Sequence, residues 1–111
     1  MATHSEMPAA APASAIGLAG YQDGAVVSRT LLKRAGGTMT LFAFDEGQSL
    51  SEHTAPFDAV ALVLEGEAEI TIAGLPLRVA VCEAVLMPAG QPHAVNARTR
   101  FKMLLTMIRS V

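Results

Sequence analysis

Two of the three histidines in this 111-residue chain stand where a fold could bring them together. His53 follows Gly47 and the polar stretch Gln48-Ser49-Leu50-Ser51-Glu52. His93 closes the run Pro88-Ala89-Gly90-Gln91-Pro92-His93. Imidazole gains or loses its proton near neutral pH and is a common transition-metal ligand. Pro88 and Pro92 fix φ and stop ladder pairing, so the loop between them holds His93 at a set height. Gly90 supplies the turn between the prolines. If the two imidazoles converge, they can bond each other, water or a ligand, move a proton, or hold a divalent ion at about 2.0–2.2 Å. Glu52 and Asp58 are candidate carboxylate helpers for such an ion. Glu52 adjoins His53 and should point to the opposite face of an extended strand, whereas Pro56 leaves the direction of Asp58 open. The third histidine, His4, reads as a solvated residue of the N-terminal segment.

Other reactive side chains carry less. Cys82 sits at an expected turn beside Glu83, with no histidine near it in sequence, and reads as an ordinary thiol. Six methionines are many for this length. Met39, Met87, Met103 and Met107 fall in expected strands, where methionine fills irregular gaps. Arg78, Arg98, Arg100, Lys102 and Arg109 are scattered and read as solvated strand faces. The chain has no phosphate-binding loop, no Gly-x-Ser-x-Gly and no zinc-ribbon spacing.

The elements that must position the histidines belong to one small domain. Hydrophobic residues make up 51% of the chain and charged residues 16%. That balance predicts apolar surface covered by a second subunit, hence a homodimer. A formal charge of −2 offers no basic field for nucleic acid or anionic lipid. A single cysteine excludes an intramolecular disulfide and fits a reducing compartment. No segment reaches the roughly 18–20 apolar residues of a membrane helix, and the N-terminus lacks the pattern of a signal peptide. The sequence therefore predicts a cytoplasmic protein, with a flexible Ala/Pro-rich leader over residues 1–20 and a single domain over 21–111.

Within that domain, short β-rich runs alternate with glycine and proline. Strands are predicted over 25–32, 38–44, 59–64, 67–72, 75–81, 84–87, 93–97 and 101–108. The run 59–64 is apolar on both faces and predicts a central strand. The last run, through Met103 and Ile108, predicts an edge-covering or dimer-forming strand. Turns at this frequency without a sustained helical period predict an all-β sandwich or barrel.

The same residues resemble the two motifs of the cupin superfamily of small β-barrels. The first motif reads glycine, five residues, His-x-His, three or four residues, Glu, six residues, glycine. The second reads glycine, five residues, Pro-x-Gly, two residues, His, three residues, Asn. Gly47, His53, Gly66, Pro88, Gly90 and His93 match in register, and Ala55, Ala59, Cys82 and Ala97 depart from it. The resemblance covers about residues 38–108. It implies a single cupin-type double-stranded β-helix, or jelly-roll barrel, with His53 and His93 at its mouth. It also implies that Ala55 and Ala59 replace two of four metal ligands.

Two functions from different classes follow. In the first, a small molecule binds an apolar barrel pocket lined by His53, Ala55, Ala59, Ala61, Met87 and His93, beside a degenerate metal site. In the second, His53 and His93 hold a divalent transition metal in an oxygenase or isomerase. Metal-free acid–base catalysis by either histidine is a third reading. The alanines also admit a plainer role, as space into which Phe42, Phe44, Met87 or Met103 packs.

Overall fold

A computed structural model describes residues 6–109; His4 lies outside them. Nine strands follow one turn of 3₁₀ helix at Ile16–Leu18: β1 Val26–Arg34, β2 Gly37–Phe44, β3 Ser49–His53, β4 Phe57–Glu65, β5 Ala68–Ile72, β6 Leu75–Val79, β7 Ala84–Met87, β8 His93–Asn96 and β9 Phe101–Arg109. They form a five-stranded sheet in the order β1-β2-β9-β4-β7 and a four-stranded sheet in the order β3-β8-β5-β6. The pairings given by strand register are antiparallel. The two sheets face each other in a jelly-roll sandwich, as expected.

Alternation along the strands builds the core. On β2, Phe42 and Phe44 point between the sheets, while Leu41 and Ala43 point outward. On β4, Ala59, Ala61 and Val63 face the interior and meet Ile70 and Val95 from the opposite sheet. Phe44 and Phe101, paired where β2 ends and β9 begins, stack with centroids 4.5 Å apart and planes 10° from parallel. Such a pair adds about 0.5–1.5 kcal/mol beyond the area it buries.

Residues ahead of β1 cover part of the outer face of the five-stranded sheet. Met7 N–H donates to the Leu31 carbonyl at 3.1 Å. Met7, Leu18, Ala19 and Tyr21 pack against Leu31, Leu41, Ala43 and Leu104. Lys102, expected on a solvated face, is only 7% exposed under this cover. Its Nζ donates to the Ile16 carbonyl at 2.7 Å and lies 4.9 Å from the centre of the Tyr21 ring. Its alkyl stem can therefore be buried while its charge keeps partners. No helix among the described residues is long and apolar enough to cross a membrane.

The polar segment β3, outside the runs that local pattern marks, is the strand that carries His53, and it bonds to β8. Two expectations change. The last strand, β9, is not an edge: it lies at the centre of the larger sheet, between β2 and β4. β4 buries its inner face, but Val60 on its outer face is 38% exposed.

Candidate functional site

The end of β3 and the start of β8 bring the two histidines together. His53 pairs with His93 in the strand register, after an irregularity between Leu50 and His53. Their rings meet edge to face, with centroids 4.3 Å apart and planes 66° apart. Each ring is steered by a backbone carbonyl two residues upstream. His53 Nδ1 lies 2.8 Å from the Ser51 oxygen, and His93 Nδ1 lies 3.4 Å from the Gln91 oxygen. A carbonyl oxygen only accepts, so these contacts favour N–H at Nδ1. They leave the Nε2 lone pair of a neutral ring for a ligand. His93 is the more enclosed of the two. Burial, and then the neighbouring His53, hold its pKa below the ordinary imidazole value.

The loop ahead of His93 is tied down at three points. Gly90 N–H donates to the Ala55 carbonyl at 2.9 Å. Ala89 N–H donates to Asp58 Oδ1 at 2.9 Å. The Pro92 carbonyl accepts from Ala73 N–H at 2.8 Å. Asp58 therefore braces the proline loop from the exposed face of β4, and it does not join the histidines. Glu52 is exposed on β3. Among the described residues, no group of three or more His, Cys, Asp or Glu side chains could hold a metal ion.

The remaining expected site residues are dispersed. Ala59 pairs with Met87 across β4 and β7, next to the mouth. Ala61 lies deeper, in the packed core with Val63, Phe44, Phe101 and Met103. Ala55 is half-buried in the β3–β4 connection. At the level of Ala61 the alanine space is thus taken up by large neighbours. A cavity of about 550 Å³ lies elsewhere, between residues 6–12 and Leu31, Leu32, Arg34 and Met39.

Sequence reasoning missed the opposite wall of the mouth. Thr38, at the start of β2, pairs with Met107 near the end of β9. Phe57, at the start of β4, pairs with Arg109. β4 begins at Phe57, four residues after His53, which places these residues at the same end of the sandwich as the first residues of β8, and Met107 packs on the interior cluster. Their signal was available only through strand register.

Cys82 adopts a left-handed conformation, with φ +67°, and its N–H donates to the Val63 carbonyl at 2.8 Å. This is the position where the cupin motif has glycine, a residue that adopts such a φ without steric cost. The turn lies at the end of β4 remote from the histidines.

Two facing sheets, a proline loop and a paired imidazole site at one open end define a cupin-type barrel. The family profile described as "Cupin domain" matches residues 40–109, and the chain belongs to that family. A conserved protein of unknown function from Streptococcus pyogenes has a similar structure: 34% identity, TM-score 0.91, covering 96% of this chain and 94% of that one. A cupin superfamily protein from Desulfitobacterium hafniense is 28% identical at TM-score 0.89, covering 96% and 97%. A Cupin 2 conserved barrel domain protein from Leptotrichia buccalis is 38% identical at TM-score 0.82, over 85% of this chain and 46% of that one. No curated protein matches the sequence.

Proposed function

We propose that this cupin domain binds a small molecule at its barrel mouth, with His53 and His93 as the polar anchor and no obligatory metal. The observation that carries this reading is the paired site itself. Two imidazoles meet at 4.3 Å, each oriented by its own backbone carbonyl. The other two ligand positions of the cupin motif are Ala55 and Ala59. Two imidazoles completed by water hold a divalent ion weakly. The same two groups beside Ala59, Met87 and Met107 give an apolar wall with a few directed polar atoms, as small-molecule sites require.

The test is a side-chain ¹⁵N NMR titration of the histidines with uncharged aromatic fragments, using benzyl alcohol as the reference probe. Saturable shifts at both imidazoles support the reading. Unchanged imidazole signals across uncharged and charged fragments contradict it.

The exposed lone pairs at Nε2 favour a second reading, a metal-dependent oxygenase or isomerase using His53 and His93. Retention of a transition metal that is lost on replacing either histidine supports that alternative over the first. We also propose a homodimer, formed through the outer face of the larger sheet. The register there runs Leu32–Met39–Thr106–Val60–Leu86 across all five strands without a charged residue. Val60 is 38% exposed and Leu86 57%. An uncharged row of this kind can meet its own copy about a two-fold axis without opposing like charges.

A further inference from the structure

The wall facing the histidines carries a second polar feature. Lys33 pairs with Thr38, and Thr38 with Met107, so the three share one face at the mouth end of β1, β2 and β9. Lys33, Arg34, Thr38, Phe57, Met107 and Arg109 border a cavity of about 140 Å³ whose lining includes no carboxylate. At roughly 30 Å³ per water, that is room for a few waters or one small anion.

The cations around it are not equivalent. Arg34 is committed, since its guanidinium pairs with Glu6 at 2.6 Å and also donates to the Lys33 carbonyl. Among the described residues, neither Lys33 nor Arg109 makes an ion pair. The Arg109 guanidinium lies 5.8 Å from the centre of the Phe57 ring, which holds it at the cavity edge. Thr38 borders the cavity, but its Oγ1 is fully buried and has no hydrogen-bond partner among the described residues.

We propose that this cavity is a carboxylate subsite of the mouth. A ligand carboxylate accepts from the Arg109 guanidinium and the Lys33 ammonium, while the apolar body of the ligand extends toward His53 and His93. Planar guanidinium and planar carboxylate can form two parallel hydrogen bonds, which favours a carboxylate over a tetrahedral anion. The direction of the ligand body rests on the reading of the mouth as a small-molecule site. The carboxylate contact itself does not depend on the histidines.

The test uses benzoate, benzyl alcohol as its uncharged counterpart, and inorganic phosphate, each titrated into ¹⁵N-labelled full-length protein at matched ionic strength. Benzoate should bind saturably and shift the amides of Lys33, Thr38 and Arg109. Its affinity should exceed that of benzyl alcohol at least about tenfold and fall by a similar factor in Lys33→Gln/Arg109→Gln. In His53→Ala/His93→Ala the benzoate-induced shifts at Lys33, Thr38 and Arg109 should persist. Equal affinities for benzoate and benzyl alcohol, or benzoate binding unchanged in the Lys33/Arg109 variant, would overturn the subsite and leave the histidine anchor standing. Phosphate binding as tight as benzoate would overturn the carboxylate assignment. Benzoate shifts at Lys33, Thr38 and Arg109 with silent histidines under every probe would support the subsite and sink the histidine anchor.

Discussion

His53 and His93 stand edge to face across the ends of β3 and β8, with ring centroids 4.3 Å apart, and this contact ties the chemistry of the mouth to its protonation state. A second proton on the pair would set two like charges side by side. The more enclosed ring, His93, resists that charge most.

This resistance makes stability depend on pH. The folded-state pKa of His93 lies below its ordinary value of 6.5, so between the two values the unfolded chain binds more protons than the folded one. Stability from this group is complete above 6.5 and declines as pH falls toward the lowered folded pKa. Thermal unfolding followed from pH about 8 down to about 5 should show the melting temperature falling below neutrality. His93→Gln should flatten that slope. Glu6 and Asp45, whose carboxyls are held low chiefly by hydrogen bonds from Arg34 and from Gly24 N–H, add a separate loss in more acid solution.

Gly66 and Cys82 should respond in opposite ways. At Gly66, φ is +73°, and an added Cβ would collide with the Arg100 carbonyl and sit 2.9 Å from Phe101 Cβ. Gly66→Ala should cost about 2–5 kcal/mol in chemical denaturation, combining left-handed strain with overpacking. Cys82 already bears the left-handed strain, so Cys82→Gly should leave stability unchanged or raise it by up to about 1 kcal/mol.

Tyr21 anchors the segment ahead of β1. Its hydroxyl donates to Glu65 Oε1 at 2.6 Å. Burial, then this bond to a carboxylate, drives its pKa far above the ordinary phenol value. Tyr21 is the single tyrosine, and the chain has no tryptophan, so the titration is free of overlap. Alkaline absorbance titration should show no tyrosinate until the protein unfolds. Tyr21→Phe should cost about 1–2 kcal/mol by leaving Glu65 without its donor.

A charge on the outer face of the larger sheet should separate the copies. Val60→Asp and Leu86→Glu each place a carboxylate in the uncharged row, on side chains already partly solvated. Sedimentation velocity should shift from dimer to monomer in either variant, with circular dichroism unchanged. Wild-type protein sedimenting as a monomer would rule out the interface.

Most of the barrel was legible because period-two alternation marks a sheet with one buried face, as in the buried Ala68 and Ile70 against Glu69 and Thr71. Periodicity did not mark β3, because Ser49-Leu50-Ser51-Glu52-His53 offers a single apolar side chain; backbone pairing with β8 makes it a strand. The central place of β9 was hidden because sheet order depends on long-range pairing, which local pattern does not encode. The convergence of His53 and His93 was readable through the spacing of the cupin motifs. Thr38, Lys33 and Arg109 were not, since their neighbourhood exists only in the β1–β2–β9–β4 register.

Native mass spectrometry of tag-free protein purified without chelator tests the metal-independent histidine anchor most directly, since it weighs metals and organic ligands on the folded chain alike. The expected spectrum shows protein free of transition metal, alone or with an organic adduct that disappears in His53→Ala/His93→Ala. A near-stoichiometric transition metal, lost in that same variant, would contradict it and return the mouth to metal chemistry.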